Sequence, residues 1–176
     1  YKRQYLGLVH RLDRPVGGVM VFAKTSKSAG RLSDMVRTHQ FKKTYLAIVE
    51  GKVPNEGVFE DYLLKLEKEN RTIVDKNGKY AKLLYKLIKY IDGLSLVKIN
   101  LETGRSHQIR VQFSSHGFPL WGDQKYNKNA KVGEQIALWA YELEFNHPVT
   151  KEKEVFKCEP FWNEYPWNIF GSDDFE

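Results

Sequence analysis

Two short segments, far apart in the chain, hold most of the groups able to do chemistry. One is His10-Arg11-Leu12-Asp13; the other is Gly104-Arg105-Ser106-His107-Gln108-Ile109-Arg110. Together they bring one carboxylate, several guanidiniums and two imidazoles. An ionised carboxylate serves as a nucleophile, a base or a cation ligand. Arg11 and Arg14 flank Asp13 and favour its ionised form. Arg105 or Arg110 can grip a carboxylate or phosphate in a bidentate way. The bland alternatives are a turn aspartate braced by Pro15 and Gly17-Gly18, and an amphipathic surface helix with solvated arginines.

Other chemistries find less support. His10, Asp13 and His107 are conceivable zinc ligands, but none has the usual ligand spacing and there is only one cysteine, Cys158. The surrounding arginines would also repel a cation, so no metal is expected. No phosphate-cradling loop and no Gly-X-Gly-X-X-Gly follows a strand, which leaves nucleotide cofactors unsupported. Gly-X-Ser-X-Gly is absent, against a typical serine hydrolase.

The distribution of charge points to the ligand. Residues 1–52 hold eleven Lys/Arg against three Asp/Glu, whereas residues 142–176 hold three against nine, within a net charge of +6. A basic region around both motifs and an acidic far end suit a phosphate backbone. The pair of motifs therefore suggests that Asp13 acts on a nucleic-acid base held by arginines. A chain of 176 residues, 41% hydrophobic, fits one domain with a real core. There is no apolar run that spans a bilayer and no signal peptide at the start. The single cysteine fits a reducing compartment, and a cytoplasmic monomer is expected. The first residue is Tyr1, and strongly patterned sequence begins at once, as in a fragment lacking upstream residues.

The elements that must position these residues read as α+β. Gly18 to Ala23 (GVMVFA) is predicted as a buried strand. Ser26 to His39 is predicted as a helix capped by Ser26 or Ser28, with Ala29, Leu32, Met35 and Val36 on one face. Thr44 to Val49 is a strand closed by Gly51, with Tyr45, Ala47 and Val49 facing one way and Thr44, Leu46 and Ile48 the other. Val58 to Leu64, Thr72 to Asp75 and Lys79 to Leu84 are further strands, the last two flanking an Asn77-Gly78 hairpin turn. Lys82 to Ile91 and Leu94 to Leu101 pair around Asp92-Gly93, and Lys82, Lys86 and Lys89 put one face in water. Ser106 to His116 is predicted as a helix with Ser106 as N-cap and Gly117 past its end, placing His107, Arg110 and Ser114 on one face. Ala137 to Phe145 and Glu154 to Cys158 form another pair, and Pro160 to Phe170 an irregular aromatic strap.

Three blocks carry a resemblance to a known family: HRLDRPVGGVMVFAKT (10–25), FKKTYLAIVEGKV (41–53) and LETGRSHQIRVQFSSHGFPLWGDQKY (101–126). In that order and spacing they resemble the RluA-type RNA pseudouridine synthases, and the likeness extends through ALWAYELEFNHPVTKEKEVF (137–156). The resemblance implies a pseudouridine synthase fold, a mixed and mostly antiparallel sheet with flanking helices and a basic RNA-binding cleft. It implies isomerisation of uridine in ribosomal or transfer RNA, with no metal or organic cofactor.

Residue by residue, Asp13 matches the catalytic aspartate. Tyr45 matches the tyrosine that stacks on the target base and handles its proton. Arg110 matches the basic partner of the aspartate, and Arg11 the arginine that enters the RNA as the nucleotide flips out. Arg105 and His107 match further motif positions suited to RNA contact or loop support, and Arg14 is expected to contact the RNA as well. The flipped base is what lets a carboxylate reach it. Asp13 can then attack C1′, add at C6 or help remove the C2′ proton; the residues leave all three open. Many members have Thr-Ser-Gly where this chain has Val16-Gly17-Gly18. Family catalytic domains also usually begin further upstream, with a Lys-Pro-X-Gly segment, so the N-terminal part of the domain is expected to lie outside this sequence. A catalytically silent RNA-binding domain on the same scaffold is the runner-up, and a nuclease-like hydrolase using Asp13 and the histidines a distant third.

Overall fold

A computed structural model describes residues 4–171 and residue 174. Ten strands, two α-helices and two 3-10 turns follow one another among them. The strands are β1 (Gly7–Leu8), β2 (Gly17–Gly18), β3 (Phe22–Ala23), β4 (Lys42–Glu50), β5 (Glu56–Leu66), β6 (Arg71–Val74), β7 (Lys79–Ile91), β8 (Leu94–Leu101), β9 (Leu138–Asn146) and β10 (Lys153–Lys157). The helices are α1 (Ser26–Arg37) and α2 (Gln108–Ser115). The main sheet runs β10-β9-β4-β8-β7-β5-β6, with every neighbouring pair antiparallel, and β2 adds a short parallel pairing to β9. The α+β class with a mostly antiparallel sheet is as the sequence predicts.

Strand β4 lies inside the sheet, between β9 and β8, and is buried on both faces. Ala47 and Val49 join a core with Val97, Ile99 and α2's Ile109 and Phe113, while Leu46 and Ile48 face a second core with Leu94, Leu96, Trp167 and Phe170. The alternation expected of Tyr45-Ala47-Val49 against Leu46-Ile48 is therefore observed. The C-terminal residues form the aromatic strap that covers the second face, Trp162 and Trp167 meeting edge to face. A third core joins Leu32 and Met35 of α1, with Ala29 and Val36 at its rim, to Phe41, Leu143 and Phe145. These are the four helix positions read from the 3.6-residue period.

The structure corrects several expectations. GVMVFA is not one strand: it starts in β2 and ends in β3, which pairs with β1 in a separate two-stranded ribbon, and Phe22 is exposed. The break follows from Gly18, whose φ of +125° turns the chain as it lies against Ala140. The α1 N-cap is Thr25, in a reciprocal pair with Ser28 at N3, and the helix ends at Arg37. Residues 79–84 and 82–91 are one long strand, β7, with a bulge between Leu87 and Lys89. β6 and β7 both pair with β5 rather than with each other, so Asn77-Gly78 is not a tight hairpin between them. Its turn is organised by Asp75, whose carbonyl accepts from the Gly78 N–H and whose side chain accepts from the Asn77 N–H. Asp92-Gly93 does make the two-residue turn, with φ of +48° and +83°. Ser106 is not a cap: α2 begins at Gln108 after His107, which has φ of 52°.

Candidate active site

The loop carrying Asp13 is fixed at both ends. The Val16 N–H donates to the Asp13 carbonyl at 2.9 Å, closing a turn through Arg14-Pro15. Gly17 and Gly18 then lie along Trp139 and Ala140 of β9, so close that a Cβ on Gly17 would overlap the Trp139 ring and one on Gly18 the Ala140 backbone. The Gln135 side chain also donates to the Pro15 carbonyl. Upstream, His10 Nε2 accepts the Val21 N–H at 3.0 Å. Burial first, and the Lys43 charge second, push the His10 imidazole down to about 4, so the ring is neutral and its remaining proton sits on Nδ1.

The second motif is held by Gln108. Its side-chain oxygen accepts from the Thr103 hydroxyl at 2.8 Å and the Arg105 N–H at 3.0 Å, and its amide donates to the Lys82 carbonyl at 3.0 Å. This ties the loop before α2 to β7. With Ile109 and Phe113 packed on the core, Arg110 turns toward the Asp13 loop. Arg110 Nη1 lies 3.6 Å from the Asp13 carboxylate. The closer partner is Asp123: Nε donates to Oδ2 at 2.8 Å and Nη2 to Oδ1 at 2.6 Å. Arg110 is 6% exposed and Asp123 1%. Burial pulls the guanidinium's pKa down, but the hydrogen bonds and charge of Asp123, then Asp13, outweigh it and leave it above its ordinary value. Asp123 Oδ1 also accepts the Lys125 and Tyr126 N–H groups, so its carboxylate is fully satisfied.

His107 adjoins this pair through Tyr126. The Tyr126 hydroxyl accepts the Thr72 N–H at 2.9 Å and lies 2.7 Å from His107 Nδ1. Burial is the main cause that lowers the His107 pKa, with Asp13 opposing and Arg110 adding to the shift. A neutral ring that accepts the Tyr126 O–H at Nδ1 keeps its own N–H on Nε2. The Tyr126 ring sits 5.1 Å from the guanidinium centres of both Arg110 and Arg71.

Tyr45, from the bulged stretch where β4 meets β9, reaches the same cleft. Burial, and then the Asp13 charge, push its phenol up to about 12, so it is neutral at physiological pH. The cleft has a volume of about 1140 Å³, and eight Lys/Arg against three carboxylates line it. All seven residues singled out from the sequence, Arg11, Asp13, Arg14, Tyr45, Arg105, His107 and Arg110, border it. Arg11 and Arg14 are exposed, whereas Arg105 donates Nε to the Tyr80 carbonyl at 2.8 Å and so braces its own loop. His10 and His107 each engage a ring nitrogen with the protein, and among the described residues no group of three or more His, Cys, Asp or Glu side chains is placed to hold a metal ion. No helix among them is long and apolar enough to cross a membrane.

Sequence reasoning missed Asp123, Tyr126 and Gln108. Gln108 stood inside the second motif and Asp123 and Tyr126 inside the third block, yet only the fold shows that the loop after α2 brings the last two back, Asp123 onto Arg110 thirteen residues away and Tyr126 onto His107 nineteen away. One signal was available: an arginine on a helix with apolar neighbours needs a carboxylate, and Gly122-Asp123 is an acidic turn close by in sequence.

Comparison with known proteins bears on the family and the fold. The profile of the RNA pseudouridylate synthase family matches residues 1–115. The chain is 33% identical over 165 residues to ribosomal large subunit pseudouridine synthase D of Zymomonas mobilis, covering 87% of this chain and 52% of that protein. It is 34% identical over 178 residues to tRNA pseudouridine synthase C of Vibrio parahaemolyticus, covering 88% and 72%. Its fold matches human RNA pseudouridylate synthase domain containing 1 with a TM-score of 0.80 at 22% identity, over 89% of this chain and 69% of that one. The chain thus spans about half the length of the large-subunit relative. With its family profile, its relatives and its fold in agreement, the chain belongs to the RNA pseudouridylate synthase family, and to the RluA type within it.

Proposed function

We propose that this chain carries the catalytic site of an RNA pseudouridine synthase that isomerises uridine in ribosomal or transfer RNA, with Asp13 as the catalyst. The observation that carries the reading is the Asp13 carboxylate facing Arg110 at 3.6 Å in a cleft shared with Tyr45, where cations outnumber carboxylates. The reaction breaks the C1′–N1 bond, forms C1′–C5, releases the C5 proton to water and leaves a proton on N1. A base flipped from its stack would rest on the Tyr45 ring, which retains the detached uracil while it turns. Arg110, itself clamped by Asp123, would keep Asp13 ionised and aimed. Arg11, Arg14, Arg105 and His107 would contact or frame the RNA. The relatives' names place two of them on the large ribosomal subunit and on transfer RNA, which is the support for the substrate class. The reading brings with it chemistry without metal or organic cofactor, as the family resemblance implies, and the cytoplasmic monomer expected from the sequence.

RNA tritiated at uracil C5 tests it. The protein should release tritium to water, and Asp13→Asn should abolish release while RNA binding survives. Retained release by Asp13→Asn would remove Asp13 from the chemistry. Binding without release by the unaltered protein would make it a silent RNA-binding domain, and strand cleavage a hydrolase.

A further inference from the structure

Lys43 is a cation in the cleft that none of the roles above uses. It lies on β4 two residues before Tyr45, so both side chains leave the same face of the strand. Its Nζ extends to the second motif, 3.9 Å from the position a Cβ on Gly104 would take. It borders both the main cleft and a small pit beside it lined by His10, Leu12, Tyr45 and Glu142.

The side chain is half-buried, and among the described residues it makes no ion pair and no side-chain hydrogen bond. Other cations lining the cleft are engaged by the protein: Arg110 has Asp123, Lys125 donates to the Asn70 carbonyl at 2.6 Å, Lys65 pairs with Glu67, Arg105 holds the Tyr80 carbonyl, and the exposed Arg71 lies 5.1 Å from the Tyr126 ring. The carboxylate nearest in the small pit, Glu142, is engaged by Lys157 at 3.2 Å. Burial lowers the Lys43 pKa, as expected for an ammonium that loses water without gaining an anion. An ammonium is a compact, strongly hydrated point charge, and its usual remedy for desolvation is an anionic oxygen.

We propose that Lys43 is the binding point for a backbone phosphate of the RNA next to the nucleotide whose base rests on Tyr45. This deepens the pseudouridine synthase reading and rests on it for the placement of the base. A strand advances about 3.3 Å per residue, so the amine and the phenol ring are offset by a distance that one nucleotide bridges. Phosphate contacts set register and orientation and carry no sequence information. Lys43 thereby anchors the sugar-phosphate on the Tyr45 side, while Arg11 and Arg14 meet the RNA at the exposed rim.

The test is a salt titration of RNA binding. Affinity of the full chain for a deca-uridylate is measured by fluorescence anisotropy across a salt series, for the unaltered protein, Lys43→Met, Lys43→Arg and Lys86→Met. Each single-strand phosphate contact contributes about 0.7 to the slope of log affinity against log salt. Lys43→Met should weaken binding and lower the magnitude of the slope by about 0.7, and Lys43→Arg should restore both. Lys86→Met, exposed on the opposite face of the sheet, should change neither. A Lys43→Met protein with the melting temperature of the unaltered chain and an unchanged slope overturns the proposal. Weaker binding at an unchanged slope also overturns it, since the partner is then a neutral acceptor. Pseudouridine formation by the unaltered protein in ribosomal RNA is assayed alongside. Its failure with the slope loss intact would sink the enzyme reading and leave the phosphate site standing.

Discussion

Asp123 holds the Arg110 guanidinium through two hydrogen bonds, and that clamp sets the face Arg110 presents to Asp13. The Asp13 contact, at 3.6 Å, is the looser of the two, so Arg110 is a bridge between the buried Asp123 carboxylate and the Asp13 carboxylate proposed as the catalyst. Removing one partner of a buried pair leaves an uncompensated charge, at about 3–5 kcal/mol. Asp123→Ala should therefore lower stability by about that amount in urea unfolding. Tritium release should fall with it, because a freed Arg110 can swing onto Asp13 and pair it too tightly. Asp123→Asn, which keeps an oxygen for the Lys125 and Tyr126 N–H groups, should be milder in stability. Normal stability and normal release in Asp123→Ala would show that Arg110 needs no clamp.

The elements behind this bridge were legible to different degrees. The α1 core face, the two faces of β4 and the Asp92-Gly93 turn follow from local period and turn chemistry, which act over a few residues. Asp13 and Arg110 stand in local motifs, whereas Tyr45 is named only through the family resemblance of the 41–53 block. The Asp123 clamp and the Thr72-Tyr126-His107 chain depend on contacts across the fold, between β6, the loop after α2 and the helix start. No periodicity reports such contacts. GVMVFA failed for a related reason: its apolar composition suits a buried strand, but the backbone contact of Gly18 with Ala140 decides its path.

Gly18 is accordingly a sensitive point in the Asp13 loop. Its φ of +125° disfavours any side chain, and a Cβ would overlap the Ala140 backbone. Strain of this kind costs about 1–3 kcal/mol. Gly18→Ala should destabilise the protein by about that much and lift the loop from β9. Displacing a reactive group by about 1 Å lowers rates on the order of 100-fold, so turnover should suffer more than RNA affinity. Equal losses in both would mean that the loop carries binding rather than reactive geometry.

Tyr45 separates into a ring and a hydroxyl. Its phenol, pushed up to about 12 first by burial and then by Asp13, stays protonated at physiological pH. Tyr45→Phe keeps the ring and should bind RNA nearly normally. If the hydroxyl moves a proton, turnover should drop roughly 100- to 10,000-fold. Tyr45→Ala removes the stacking surface as well and should lose a further about 1–3 kcal/mol of affinity. A Tyr45→Phe protein with full turnover would leave the ring as the only contribution of this residue.

His10 gives the fold an acid-sensitive joint beneath the Asp13 loop. In the folded chain its imidazole is pushed down to about 4 by burial and by Lys43, against 6.5 when unperturbed. Above about 6.5 the ring is neutral in folded and unfolded chains alike, and stability does not depend on it. As pH falls from there the unfolded chain binds the proton first, so stability declines until the folded ring protonates near 4. Discounted for partial exposure, the effect is on the order of 1–2 kcal/mol. His107, lowered in the same direction, adds to the decline. His10→Gln keeps an acceptor for the Val21 N–H and removes the titration. Its melting temperature, followed from pH 8 to pH 4, should fall less steeply than that of the unaltered protein. Parallel curves for the two would assign the acid sensitivity elsewhere.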